Sequence, residues 1–386
     1  MADREVLILG AGIGGLAAAL SFHRLGWPVR VVEQAQAITE VGAGLQISPN
    51  GGAVLRALGL GAGFEAGSVR AQAVVLSDWK RPGDVLRLDL RRRGDQYFGL
   101  MHRADLIGLL EAAVRAAGIP VQLGRRVDRV VPGAPARVVF ADGSEAQAAL
   151  VVGADGLHSR ARMALNGADA PFFTGQVAWR AVVPLDRPLP PEARVVMAPG
   201  RHAVIYPLRD GRQANLVAIM GRDEWAEEGW HHADDPAHLR AAFAGFRGPV
   251  RPLLDAVTEV GLWGLFRHPV APHWHGAGLA ILGDAAHPTL PFLAQGANLA
   301  LEDAWVLAAH WDGTGASLAA YQAARRERAQ KVISAANRNA WKYHVRFGPA
   351  RAIGHAGLAV AGRLAPELML RQFDWIYGCD VTGANP

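Results

Sequence analysis

Short apolar runs, each followed by glycines or by a change of period, organise this chain. Val6 to Leu9 is strand-sized and apolar throughout, Leu16 and Leu20 recur at helical spacing, and Val29 to Val32 repeats the first run. Residues 1–70 therefore read as βαβ units. Ala71 to Leu90 alternates apolar with polar, as a strand does when one face is buried, and Tyr97 onward returns to a helix through Ala117. Leu150 to Val152 and the run ending at Ile281 and Leu282 are further buried strands. From Thr174 to about Pro269 the strand pattern dominates, with Val177 to Val183, Arg194 to Met197, Ala203 to Tyr206 and Asn215 to Met220 as its runs. Ser317 to about Tyr343 predicts a long helix carrying Tyr321, Arg325 and Arg328 on one face, which braces the fold rather than binding a ligand.

Composition narrows this picture. A length of 386 residues suits two domains, and a 51% hydrophobic content supplies their cores. The net charge of +5 is mild, and its densest tract, Arg91-Arg92-Arg93, reads as a solvated hairpin turn, so a nucleic-acid partner is not expected. Cys379 is the single cysteine, which excludes an internal disulfide and fits a reducing compartment. No apolar stretch reaches the roughly 18 residues of a membrane span, and no basic leader precedes the first strand, so a cytoplasmic location is expected.

Two glycine-bearing segments carry candidate chemistry. After the first strand, Gly10-Ala11-Gly12-Ile13-Gly14-Gly15 fits the G-x-G-x-x-G pattern. There Gly10 permits the tight turn, Gly12 lets a pyrophosphate approach the backbone and Gly15 lets helix and strand pack. Glu33 ends the second strand about 20 residues later, where an acid can bond ribose hydroxyls and favours a 2′-hydroxyl over a 2′-phosphate. The second segment runs from Gly283 to Ala304. Gly283 turns the chain, Asp284 offers an acceptor to a cofactor hydroxyl, and Gln295-Gly296-Ala297-Asn298 opens a helix whose free N–H groups suit an electron-rich ring. Between them, Gly153-Ala154-Asp155-Gly156 is a compact turn before a short helix that Ser159 can cap and Arg162 occupies.

With those motifs in that order, the chain resembles the single-component FAD-dependent aromatic hydroxylases, the family of 4-hydroxybenzoate, salicylate, 3-hydroxybenzoate and 6-hydroxynicotinate monooxygenases. The glycine fingerprint, Asp155-Gly156-Leu157-His158-Ser159-Arg160-Ala161-Arg162 and Gly283-Asp284 carry the likeness, and Met101-His102-Arg103-Ala104-Asp105-Leu106 looks like the family's arginine segment. The resemblance implies an α/β fold (α+β mixed), with a Rossmann-like FAD-binding domain interleaved with a smaller mixed β-sheet substrate domain and a C-terminal helical segment. Residues 1–70, 98–173 and 274–343 would form the first, 71–97 and 174–273 the second, and 344–386 the helices. It further implies that Arg103 reaches the flavin and its pyrophosphate, that Asp284 holds the ribitol, and that Pro291 lies beside the reacting ring. The N–H groups of Ala297 and Asn298 would meet the pyrimidine edge, the Asp155-Gly156 segment would serve FAD and the transient nicotinamide, and Gln34, Gln46 and Val127 would complete the cofactor contacts. NADH or NADPH would be the reductant, O2 the second substrate, and the oxygen would pass to the ring through a flavin C4a-hydroperoxide.

Such an enzyme must exclude water and can deprotonate a phenolic substrate, whose pKa is near 10 when free. His202 and Tyr206 lie four apart, so on a strand they share one face. In the salicylate-like branch a histidine and a tyrosine stand at this spacing in the pocket beside a glutamine matching Gln295, and Ala294-Gln295-Gly296 here resembles that branch. A small hydroxyaromatic substrate follows, with decarboxylation left open and Arg180 as candidate carboxylate partner. A lipophilic quinone precursor or isoprenoid is the alternative, pointed to by the apolar Ile353 to Leu370 region, and a non-catalytic flavin sensor is another. His231, His232, Asp234, Asp235 and His238 are not a metal site on this reading, because Asp235-Pro236 looks like a helix start. His287 is expected to be structural, His273 and His275 flank Trp274 in a surface turn, and Trp79, Trp179, Trp225, Trp263 and Trp274 fill core. A monomer or homodimer is expected.

Overall fold

The computed structural model describes residues 4–38, 43–168, 171–222 and 232–383, and side chains within these except those of 339–342. Trp225 and His231 lie outside the described residues. A six-stranded sheet runs His275–Gly276, Leu279–Ile281, Leu150–Gly153, Val6–Leu9, Val29–Val32, Val121–Gln122. All its pairs are parallel except the first. Its central strands are buried on both faces, which is why they read as unbroken apolar runs rather than alternating ones. Helix Ile13–Arg24 packs on this sheet and against helix Gly296–His310. The long helix Gly315–Tyr343 buries Tyr321 and Arg325, the brace expected of that face.

The second large sheet has eight strands among the described residues. Its order is Ala233–Asp234, Val260–Arg267, Phe172–Pro184, Gln213–Gly221, Arg201–Leu208, Glu192–Ala198, Ala73–Asp78, Asp84–Asp89. Only the pair Glu192–Ala198 with Ala73–Asp78 is parallel, so the sheet is mixed. All four predicted strand runs are present and extend further than expected. A side-chain bond links this sheet to the small sheet built on Gly44–Ile47: the Gly44 N–H donates to Asn215 Oδ1 at 2.7 Å. A side chain at Gly44 would collide with Tyr206 and Asn215 at under 3 Å, so glycine is what permits the close approach.

The arginine tract departs from expectation at one residue. Leu90–Arg93 is a short 3-10 turn in which Arg91 is exposed and pairs with Asp89, Arg92, also exposed, pairs with Glu367 at 3.2 Å, and only Arg93 is half-buried, against Asp374. Helices Gly348–Leu364 and Pro366–Arg371 thereby sit over the outer strands of the eight-stranded sheet. Trp274 is fully buried, as expected of a core tryptophan, and its Nε1 donates to the Ala271 carbonyl at 2.9 Å, while His273 beside it is exposed. Trp179 and Trp263 are core, as expected. Asp235 caps helix Pro236–Ala242 through the Ala237 N–H at 2.7 Å, and Asp234 binds Trp179 Nε1 and His238, each at 2.7 Å. No helix among the described residues is long and apolar enough to cross a membrane.

Candidate functional site

The three glycine-bearing motifs converge because their strands are neighbours in the parallel sheet. A Cβ on Gly10 would stand 2.5 Å from the Ala154 carbonyl, and one on Gly15 would stand 2.0 Å from the Gly10 carbonyl. Gly14 faces the other segment, where a Cβ would meet Leu282 at 2.8 Å and Ala300 at 3.3 Å. Gly12 differs from all three: a Cβ there would touch nothing within 4 Å. It begins helix Ile13–Arg24 with no side chain capping the first turn. Arg162, buried, joins the middle motif to Gly283–Ala304 by donating to the Ala285 and Ala286 carbonyls at 3.1 and 3.2 Å.

Several carboxylates at this junction already have partners. Glu33 accepts from the Ala11 and Ala35 N–H groups, both at 2.8 Å, which closes the glycine turn on the second strand. Asp155 accepts from Ser159 and from the Arg160 N–H at 2.8 Å, so it caps the helix Arg160–Asn166. Burial pushes its carboxyl above the ordinary range despite those donors. Asp284 is different. It is exposed and has no hydrogen-bond partner among the described residues.

Under the helix Gly296–His310 lies a polar cluster that sequence reading did not find. Asn298 accepts from the Ser48 N–H at 3.0 Å and donates to the Gln46 and Ala294 carbonyls at 3.0 and 2.8 Å. Gln295 donates to Ser48 Oγ at 2.9 Å and accepts from Asn50 at 3.1 Å, and Asn50 also donates to Glu302 at 2.6 Å. Arg325 lies between Glu302 at 2.6 Å and Asp303 at 2.8 Å, Arg328 meets Glu302 at 2.7 Å, and His287 meets Asp303. Burial would raise the Asp303 carboxyl, yet the charges of His287 and Arg325 prevail and hold it at about 2. His287 is structural, as expected.

Beside this cluster opens a cavity of about 210 Å³. Pro291, Phe292 and Gln295 form its wall toward the glycine motifs, Val74, Leu76 and Leu86 belong to the outer strands, and Leu358, Met369 and Phe373 come from the C-terminal helices. His202 and Val204 line it from strand Arg201–Leu208; Tyr206, on the same face, sits in the core beyond and does not line it. His202 is 1% exposed, with its Nδ1 2.6 Å from Nε2 of His344, a half-buried residue that directly follows the long helix. Burial first, and the neighbouring His344 second, hold the His202 pKa well below its usual range; burial and Arg346 bring His344 to about 4. Burial also raises the Tyr206 phenol.

The chain matches the FAD binding domain family over residues 3–336. It is 34% identical to the 3-amino-4-hydroxybenzoate 2-monooxygenase of Streptomyces platensis over 98% of this chain and 96% of that one. It is also 34% identical to the 6-hydroxynicotinate 3-monooxygenase of Bordetella bronchiseptica over 87% of this chain and 91% of that one. This chain belongs to the FAD-dependent aromatic hydroxylases. Among solved structures, a variant of Klebsiella pneumoniae HpxO complexed with FAD superposes with a TM-score of 0.84 at 26% identity, covering 96% of this chain and 99% of that one.

Of the residues singled out for this hydroxylase, Gly10, Gly12, Gly14, Gly15, Asp155, Gly156, Gly283, Asp284 and the Gly296–Asn298 turn lie at the convergence of the three motifs. Gln46, Pro291 and Gln295 line the cavity. Arg103 starts helix Arg103–Ala116, its N–H donating to the Ala43 carbonyl at 2.8 Å. Gln34 is exposed after the second strand, and Val127 pairs with Phe140 in a separate three-stranded sheet. Arg180 stacks on Trp263, 5.2 Å from the ring centre, and does not line the cavity, whereas Arg93 does. His344 gave no sequence signal, and Arg93 stood out only as part of the arginine tract read as a solvated turn.

Proposed function

We propose that the protein hydroxylates a small hydroxyaromatic acid, with FAD across the three converged motifs, NADH or NADPH as reductant and O2 as the oxygen source. The observation that carries this reading is a buried histidine in the wall of an apolar cavity that also touches the Gly283–Ala304 segment. The described residues fit the cofactor. Gly12 opens onto free space, the helices beginning at Ile13 and Gly296 have no side chain on their first N–H groups, and Asp284 presents an unpartnered carboxylate. On this reading the glycines and Glu33 hold the nucleotide half, Asp284 the ribityl chain, and the Ala297 and Asn298 N–H groups the ring. Gln34, Gln46, Arg103, Val127 and the Asp155-Gly156 turn supply the outer contacts, and residues 71–97 with 174–273 form the substrate unit. FAD, when bound, accepts hydride and activates dioxygen for electrophilic transfer.

The chain's own part is to hold the ring and move a proton. Leu76, Leu86, Val204 and Phe292 exclude water, and Arg93 brings the cation among the described lining residues that a substrate carboxylate would meet. In the tautomer in which His202 Nδ1 donates to His344, its Nε2 is free to take the phenolic proton, which makes the ring a better nucleophile. The Nδ1 proton then passes to His344 Nε2, and His344 releases its own Nδ1 proton toward solvent. Gln295 is tied to Ser48 and Asn50 and therefore shapes the wall rather than exchanging protons. Tyr206, beyond Val204 on the same strand face, belongs to the neighbouring core and does not line the cavity. The second reading, a lipophilic quinone precursor or isoprenoid, draws on the exposed Ile353, Val360 and Leu364 on the helix that covers the cavity.

The test is to purify the flavoprotein, follow NADH and NADPH oxidation against hydroxylated benzoates, nicotinates and phenols, and identify products by mass. Stimulated oxidation with a product heavier by one oxygen, or with carboxylate replaced by hydroxyl, is expected. Stimulation by every ligand without oxygenated product would overturn the reading.

A further inference from the structure

A second cavity of about 190 Å³ lies where the turn after strand Ala73–Asp78 meets the start of helix Gly348–Leu364, lined by Asp78, Trp79, Lys80, Arg81, Arg351 and His355. Its charge is unbalanced. Three cations, Lys80, Arg81 and Arg351, face one carboxylate, Asp78. That carboxylate is buried and partly spent: its Oδ1 accepts the Lys80 and Arg81 N–H groups at 2.9 and 3.0 Å. Its Oδ2 stands 3.5 Å from His355 and 3.9 Å from Arg351, too far for a short charge-assisted bond to the guanidinium. Among the described residues, the buried Arg351 Nη1 has no acceptor, and neither has the buried Trp79 Nε1. Burial, with smaller contributions from Arg351 and Arg81 and opposed by Asp78, keeps His355 below its usual range.

A buried donor without an acceptor costs free energy unless a ligand or water satisfies it, and two uncompensated positive charges match one dianion. We propose that this cleft binds a phosphate dianion, with Arg351 as its inner donor and Lys80 and Arg81 closing over it. The cleft is separate from the substrate cavity but mechanically close to it. Asp78 pairs with Met197, which pairs with His202, so two strand spacings, roughly 10 Å, separate the two places. Helix Gly348–Leu364 lines both, with Arg351 and His355 in the cleft and Leu358 in the cavity. Two sources share the ligand chemistry: a phosphomonoester on a nicotinamide nucleotide and free phosphate.

Calorimetric titration of the FAD-loaded protein with inorganic phosphate tests this without reference to any hydroxylation activity. Saturable binding of one phosphate is expected, weakened roughly tenfold or more in the exposed double variant Lys80→Glu/Arg81→Glu, and also in Arg351→Gln, with flavin content unchanged. Competition of phosphate with NADPH but not NADH would assign the site to the nucleotide's 2′-phosphate, and competition with neither would assign it to free phosphate. Absence of saturable phosphate binding, or equal binding by wild type and the double variant, would overturn the proposal.

Discussion

The two walls of the proposed active site are built on opposite principles. The wall under helix Gly296–His310 is a lattice of directional bonds, in which Asn298, Gln295, Asn50, Glu302, Asp303 and Arg325 are all buried and mutually engaged. The cavity beyond Pro291 is bounded mostly by aliphatic side chains, with His202 and Arg93 among its few polar groups. A hydrogen-bonded lattice tolerates little change, because removing one partner strands a buried charge. An apolar wall tolerates volume-conserving exchange. Cofactor geometry can therefore be held constant in this fold while the substrate wall is retuned.

The comparison breaks if the polar group in the apolar wall proves dispensable. Replacing His202 with alanine is expected to lower hydroxylated product formation by about 10²–10⁴-fold while FAD remains bound. Product formed per nicotinamide oxidised, measured across pH, checks this; unchanged coupling would remove His202 from the chemistry.

On the lattice side, Asp303→Ala leaves Arg325 short of a buried partner and should cost about 3–5 kcal/mol, read by urea denaturation. The same group sets an acid limit. Its native pKa of about 2 lies below the ordinary value of 3.8, so the unfolded chain binds the proton first. That stability is fully present above the unfolded value and is lost as pH falls from there through about 2. An acid-unfolding curve with the same slope in Asp303→Ala as in wild type would contradict the assignment.

The smallest expected effect falls where the two walls meet. Ala294 adopts φ 51°, a left-handed conformation that an L side chain resists. Ala294→Gly should raise stability by up to about 1 kcal/mol, read as a higher melting temperature. A lower one would show that the alanine methyl packs against a wall and compensates for its backbone.

Sequence reading went furthest where structure is local. The strand Val6–Leu9, the turn at Gly10, the capping of helix Pro236–Ala242 by Asp235 and the long helix ending at Tyr343 were all legible, since apolar period, glycine and caps act over a few residues. It failed where partners are distant. His202 and His344 are 142 residues apart, and Asn50 and Glu302 are 252 apart. Nothing in either local pattern marks such a pair. Arg91 and Arg92 are exposed as a solvated turn would have them, but Arg93 is not, and its acceptor, Asp374, sits at the far end of the chain.

By itself, then, the sequence determined the parallel nucleotide-type core, the order of its three glycine-bearing motifs and the family to which the chain belongs, because each is written in contiguous residues whose backbone demands are strict. Tertiary structure alone decided which carboxylates are occupied and which is open, that Tyr206 stands behind the cavity while His202 faces it, and that Arg93 rather than Arg180 lines that cavity. Those outcomes depend on which sheet edge and which helix come together. Burial and long-range pairing set charge and access there, and neither is encoded in spacing along the chain.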